Sequence, residues 1–241
     1  MTLAGTGVEE GSDTVGSAQD EAAYAVARHR MVERQIVARG VGDPAVLAAL
    51  RAVPRHEFVP EESRGQAYED YPLPIGSGQT ISQPYIVALM TEALALAPGS
   101  RVLELGTGSG YQAAVLAAIA DSVWSIEYFP TLAKEARERL ARLGYSNVTT
   151  RVGDGWEGWP EHAPYDAIMI TFAAPEIPPR LPAQLKPGGR LCLPLGEPHG
   201  HQALMLYTRR EDGTLVATGL GPVRFVPVQR GKPGREPPRQ P

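Results

Sequence analysis

The segment Glu104-Leu105-Gly106-Thr107-Gly108-Ser109-Gly110 joins an apolar run, RVLEL, to a helix-forming one, YQAAVLA. Glycines at such a junction let the backbone turn tightly and approach a ligand closely, at the strand end where open α/β sheets bind ligands. The spacing is G-x-G-x-G, not the G-x-G-x-x-G of dinucleotide sites, which argues against a pyrophosphate ligand and an NAD-dependent oxidoreductase. No G-K-[ST] follows, so no triphosphate loop is expected. Two acids extend the pattern. Glu127 closes the next strand-like run, VWSIE, where a carboxylate can accept from both hydroxyls of a ribose. Asp154, in Gly153-Asp154-Gly155 after the following run, suits an adenine amino group. Each acid alone reads equally well as a helix cap or a solvated turn. Together, beside the glycine loop, they make an adenosine site without phosphates. S-adenosylmethionine fits it, with its amino-acid end over the loop, its ribose on Glu127 and its adenine near Asp154.

Those residues need a sheet to hold them, and the pattern supplies one. From Pro84 a helix to about Leu96, strand 101–105, helix 111–120, strand 123–127, helix 130–143, strand 148–152, strand 167–171 and a short helix near 179–185 follow one another. This alternation predicts a parallel sheet covered by helices on both faces. Runs 190–195, 203–208 and 215–220 then lack helices between them, which predicts an antiparallel C-terminal edge. Two further helices come first, over 22–39 up to Gly40 and from the Asp43-Pro44 start to Ala52. Residues 54–83 carry no sustained period and read as a long irregular segment of the kind that is often functional.

The 241 residues, 43% of them hydrophobic and with a formal net charge of −4, describe one globular domain. No global positive field is present, so nucleic acid is not expected as a partner. The longest apolar run, Ala113–Ala120, is far short of the roughly 20 residues of a membrane span, and the first twenty-odd residues lack the basic start and apolar middle of a secretory signal. A cytoplasmic monomer is the expected form. Residues 1–22 and 229–241 read as loose tails around a single domain at 23–228. The one cysteine, Cys192, sits in an apolar strand and reads as packing. His199 and His201 lack a third ligand nearby in sequence, and no metal is expected; Trp156, Trp159 and Tyr165 lack interleaved basic residues and read as packing under a loop.

With G-T-G-S-G, an acid after the second strand and G-D-G after the third, the chain resembles the class I methyltransferases. The segment PLPIGSGQTISQPY at 72–85, LELGTGSGYQAAVLA, GDGWEGWPEHAPYDAI, Ala174-Pro175-Glu176-Ile177-Pro178 and Val223-Arg224-Phe225-Val226-Pro227 narrow the resemblance to the protein-L-isoaspartate O-methyltransferase family, over roughly residues 30 to 228. The resemblance implies a Rossmann-like, doubly wound, mostly parallel sheet with extra N-terminal helices. It implies S-adenosylmethionine as cofactor and isoaspartyl-containing proteins and peptides as partners, methylated on the α-carboxylate to begin repair through a succinimide. By the same resemblance Gln79, Thr80, Ile81 and Ser82 line the junction of cofactor and substrate, with Ser82 as the active-site residue. Glu104, Gly106, Glu127, Asp154 and Gly155 match cofactor contacts, joined by Thr107, Gly108 and Gly110 of the loop and by Tyr128.

Ser82 also precedes a helix, where a serine N-cap contributes about 1 kcal/mol without chemistry. A substrate carboxylate is already ionised at pH 7, so no general base is required, and Ser82 reads as a hydrogen-bond positioner. Two features depart from the family's usual pattern: Phe172 within Thr171-Phe172-Ala173-Ala174-Pro175, which either narrows a substrate groove or packs beneath it, and Tyr128, where a basic residue is frequent. They leave open a biosynthetic methyltransferase that esterifies an aspartate of one dedicated peptide.

Overall fold

A computed structural model describes residues 12–197 and 200–233, with side chains from Gln19 onward. Helix α1 (Ser12–Met31) loosens into a π turn at Val32–Ile36 and a 3-10 turn at Val37–Arg39. Helix α2 (Pro44–Ala52) starts as its sequence predicts, with Asp43 Oδ1 accepting from the Ala45 and Val46 amides at 2.8 and 3.0 Å. An antiparallel hairpin of β1 (Leu73–Gly76) and β2 (Gln79–Ile81) leads into α3 (Pro84–Leu94). Then come β3 (Arg101–Leu105), α4 (Tyr111–Ala117), β4 (Ser122–Glu127), α5 (Pro130–Arg142), β5 (Val148–Val152) and β6 (Tyr165–Ile170). The chain closes with α6 (Leu181–Gln184), β7 (Leu185–Gly196), β8 (Gln202–Arg209) and β9 (Leu215–Val223).

The seven-stranded sheet has the order β5-β4-β3-β6-β7-β8-β9. The strands from β5 to β7 are mutually parallel, and β8 runs antiparallel to β7 and β9, which is the expected reversed edge. The chain moves outward from β3 to β4 and β5, then returns to β6 on the other side of β3. The loops after β3 and β6 therefore part at the switch point, where such sheets open a ligand crevice.

Strand periodicity divides the core. Val102, Val123, Ala167 and Met169 face the N-terminal helices, α3 and α4, while Leu103, Leu105, Trp124, Ile126 and Ile168 face the other side. On α5, Leu132, Ala133, Ala136 and Leu140 recur at helical spacing and are all buried. Cys192 is fully buried in β7, and burial pushes its thiol up to about 12. Trp156, Trp159 and Tyr165 pack in the second cluster, with the Tyr165 hydroxyl donating to the Trp159 carbonyl at 2.6 Å. Among the described residues, no helix is long and apolar enough to cross a membrane.

Three expectations are corrected. Residues 54–83 are not wholly irregular, because the hairpin and two 3-10 turns organise them. Helix α1 begins at Ser12, inside the expected tail at 1–22. Its polar residues include good helix formers, and Glu21 lies 3.3 Å from His56 Nε2 and 3.9 Å from Arg28, so polar contacts anchor what apolar burial does not. The C-terminal segment is likewise held at its start: the Tyr128 hydroxyl donates to the Arg230 and Lys232 carbonyls at 3.2 and 3.0 Å, and the Gly231 amide donates to Asp154 at 2.9 Å. The rest of both expected tails, residues 1–11 and 234–241, lies outside the described residues, as does His199. His201 is exposed, and among the described residues no three His, Cys, Asp or Glu side chains cluster to hold a metal ion.

Candidate active site

Two cavities open at the carboxyl end of the sheet. The first is lined by Gly106 and Gly108 of the loop after β3, by Glu127 at the end of β4 and Tyr128 after it, and by Gln79 and Gly155. The second, of about 840 Å³, is a groove whose walls include Ser82, Gln83, Ile86, Gln202, Arg224 and Phe225. Both are lined by Thr80, Thr171, Val226 and Pro227, so these four residues mark where one cavity passes into the other.

The loop after β3 is held from behind. Its Gly106 and Thr107 amides donate to the Ile126 carbonyl at 2.8 and 3.4 Å, and Gly108 donates to Glu127 Oε2 at 2.8 Å. Glu127 Oε1 accepts from Phe129 N at 2.9 Å. Burial raises the Glu127 pKa, opposed by the main-chain donors of Phe129, Gly108 and Tyr128. The carboxylate thus fixes the loop and also stands on the cavity wall. Gly106 has φ +97°, and a Cβ there would fall 2.4 Å from Thr171 Oγ1 and 3.1 Å from Phe172. Only glycine gives this backbone its close approach to the loop after β6.

Glu104 does not reach the cavity wall. Its side chain shares a sheet face with Ser125, its register partner on β4, and is fully buried. The Ser125 hydroxyl donates to Glu104 Oε2, and Thr107 Oγ1 lies 2.6 Å from Ser125 Oγ, so Glu104 supports the loop through two hydroxyls. Its Oε1 is a buried acceptor with no partner among the described residues. Burial raises its pKa to about 8, with Ser125 opposing and Glu127 adding to the shift.

Of the residues expected to contact the cofactor, Gln79, Thr80, Gly106, Gly108, Glu127, Tyr128 and Gly155 line the first cavity. Thr107 and Gly110 do not line it, since Thr107 turns back to Ser125 and Gly110 backs onto Leu140 of α5. Ile81 is 4% exposed and pairs with Leu73; strand alternation turns it inward and leaves Thr80 and Ser82 facing the cavities. Asp154 stands beside the wall with both carboxylate oxygens engaged, Oδ1 by the Trp156 amide at 2.9 Å and Oδ2 by Gly231. Ser82 is not a helix cap: Gln83 occupies that position without a side-chain bond, and the Ser82 hydroxyl has no hydrogen-bond partner among the described residues. Phe172 packs into the second core cluster and lines the first cavity, so it does not narrow the groove.

Sequence reasoning missed Arg55. This arginine is fully buried, donates from Nε to the Ala67 carbonyl at 2.7 Å and from Nη2 to the Ser82 carbonyl at 2.8 Å, and lies 4.8 Å from the Tyr111 ring centre. Burial lowers its pKa to about 10. It ties the Ser82 backbone to the first residue of α4. The available signal was a cation between the apolar residues Val53, Phe58 and Val59. Thr171 was also given no role, yet its hydroxyl donates to the Leu105 and Gly106 carbonyls at 3.1 and 2.6 Å and joins the two loops at the switch point.

The glycine cradle and the Glu127 carboxylate fit S-adenosylmethionine. No phosphate-binding loop is present, and the cradle is one that a single Cβ at Gly106 would fill.

Residues 27–233 match the family described as protein-L-isoaspartate(D-aspartate) O-methyltransferase. A protein-L-isoaspartate O-methyltransferase of Opitutus terrae is 57% identical over 206 residues, covering 86% of this chain and 88% of that protein. One of Methylorubrum extorquens is 58% identical over 207 residues, covering 86% and 90%. A solved protein-L-isoaspartate O-methyltransferase superposes with a TM-score of 0.76 at 33% identity, over 86% of this chain and 67% of the other. A Plasmodium falciparum member solved with S-adenosyl-L-homocysteine gives 0.73 at 26% identity, over 85% of this chain and 99% of the other. By its family match over residues 27–233, its identity to these relatives and its superposition on a solved one, the chain belongs to the protein-L-isoaspartate(D-aspartate) O-methyltransferase family.

Proposed function

We propose that this protein transfers the methyl group of S-adenosylmethionine to the α-carboxylate of L-isoaspartyl residues in damaged proteins and peptides. The carrying observation is the shared lining of the two cavities at Thr80, Thr171, Val226 and Pro227, which gives a donor in one and a peptide in the other a single point of contact. The bound cofactor supplies a sulfonium-activated methyl. A carboxylate oxygen of the substrate forms the new O–C bond as the C–S bond breaks, and the sulfur keeps the electron pair. The ester then closes to a succinimide when the main-chain amide nitrogen displaces methanol, and hydrolysis of that ring returns some normal aspartate.

No base is required, because the acceptor is already an anion at neutral pH. The protein's task is alignment, with the acceptor oxygen about 3 Å from the methyl carbon and in line with the bond that breaks. The Ser82 hydroxyl, uncommitted among the described residues and set on the groove wall, is placed to donate to the substrate carboxylate. Arg55 holds the Ser82 main chain through its carbonyl. Gly106, Gly108 and Glu127 hold the cofactor, with Gln79, Tyr128 and Gly155 closing the wall.

The direct test is transfer of labelled methyl to peptide pairs that differ only in L-isoaspartate against L-aspartate. Strong labelling of the isoaspartyl member alone is expected. Labelling of the aspartyl member alone would replace the reading with a dedicated biosynthetic esterification. Ser82→Ala should lower turnover about ten- to a hundredfold, the worth of one hydrogen bond to a charged group, and leave the cofactor dissociation constant within about twofold. Full turnover on saturating peptide would remove Ser82 from the mechanism.

A further inference from the structure

Among the described residues that line the groove, Arg224 is the only ionisable side chain, set among Ser82, Gln83, Gln202, Thr80 and Phe225 with apolar neighbours. Arg224 is exposed and makes no hydrogen bond or ion pair among the described residues. Other arginines near the site are committed: Arg55 to the Ser82 and Ala67 carbonyls, Arg39 to Asp70, Arg139 to the Ser109 carbonyl. Arg224 is therefore a cation facing a binding groove with all of its donors available.

The segment that carries it is fixed. Gln202 grips the next residue from both sides, with Oε1 accepting from Phe225 N at 2.6 Å and Nε2 donating to Phe225 O at 3.3 Å. The Ala173 amide donates to Val226 O at 2.8 Å, and Val228 N donates to Ala173 O at 3.0 Å. This rigid wall places Arg224 in a defined position relative to the junction of the cavities. Val226 and Pro227 line both cavities, whereas Arg224 lines the groove alone. Arg224 thus lies two residues along the chain from the wall that both cavities share.

We propose that Arg224 determines substrate preference by binding a second carboxylate of the peptide, carried by a residue flanking the isoaspartyl unit. This rests on the methyl-transfer reading given above. The acceptor carboxylate belongs at the junction shared by the two cavities, whereas Arg224 lines the groove and not the first cavity. A flanking aspartate, glutamate or C-terminal carboxylate meets the guanidinium fork further along the groove.

The test compares isoaspartyl peptides identical except for Glu against Gln, placed on the N-terminal side in one series and the C-terminal side in another. The readout is the ratio of kcat/KM for the acidic over the neutral peptide within each protein, so any loss of folded enzyme cancels. Wild type should prefer the acidic peptide about three- to tenfold in one series, as expected of a solvent-accessible charged pair, and less at high salt. Arg224→Gln should bring that ratio close to one and Arg224→Glu should invert it. The series that responds identifies which flank Arg224 reads. A wild-type ratio of one in both series, or a ratio unchanged in both variants, overturns the proposal. If both variants slow acidic and neutral peptides equally, the flank assignment is wrong. Wild type that methylates no isoaspartyl peptide overturns the functional reading itself, and this proposal with it.

Discussion

Gly106→Ala abolishes measurable cofactor binding and lowers stability by roughly 3 kcal/mol, the sum of left-handed backbone strain and an overpacked contact. The added methyl would sit 2.4 Å from Thr171 Oγ1, at a residue whose φ of +97° disfavours any L side chain. Neither partner can yield easily. Thr171 is held by its two hydrogen bonds to the Leu105 and Gly106 carbonyls, and Gly106 by its amide bond to Ile126. In a chain of this size the loss corresponds to a fall of about 6 to 12 °C in melting temperature. Calorimetric titration with S-adenosylmethionine and a thermal scan read both effects. Adding Thr171→Ala to the variant removes the 2.4 Å contact but neither the tighter approach to Phe172 nor the backbone strain, so part of the lost stability, up to about half, should return as a coupling term. Unchanged cofactor affinity in Gly106→Ala would mean that the cofactor does not occupy this cradle.

Glu104→Gln makes the protein more stable at alkaline pH and changes it little near pH 5. The folded-state pKa of Glu104 is raised to about 8, mainly by burial, while an unfolded carboxyl titrates near the ordinary value of 4.5. Between those two values the native state keeps a proton that the unfolded chain has released, so wild-type stability falls as pH rises through the window. The fall attributable to this group is about 1 kcal/mol per pH unit and ends above pH 8, where both states are ionised. Glutamine cannot ionise, keeps an acceptor for Ser125, and escapes that fall. Urea unfolding of both proteins at pH 5, 6.5, 8 and 9 should show the variant's advantage growing up to about pH 8 and then levelling. An advantage that does not change with pH would show that Glu104 is ionised throughout, and that its orphaned Oε1 has a partner in solution.

Glu104 also shows how sequence and structure divide the information. The family resemblance makes it an expected cofactor contact, whereas the structure sets it behind the cavity wall, where it supports the loop after β3. Its role followed from strand register: β3 and β4 pair Glu104 with Ser125 on one face, behind the loop, and that pairing is not written in either segment alone. Asp154 is a similar case, because the Gly231 amide that engages it lies 77 residues further along the chain. Ile81 differs, since alternation in a strand would have turned it inward had residues 79–81 been recognised as strand. That hairpin was missed because its strands are three and four residues long and hold too few turns of the pattern to show a period.

The sequence by itself determined the alternating strands and helices, the reversed edge, the Asp43 cap, the glycine cradle and the acid after β4. Each rests on local periodicity or on backbone chemistry confined to a few consecutive residues, and so survives being read one segment at a time. Only the tertiary structure decided that Arg55 grips Ser82 from 27 residues away, that Thr171 joins the loops after β3 and β6, and that Arg224 is the one charge among the described residues lining the groove. These depend on which strands lie side by side and on where the last extended segment crosses the switch point. Burial and long-range pairing, not local preference, set both.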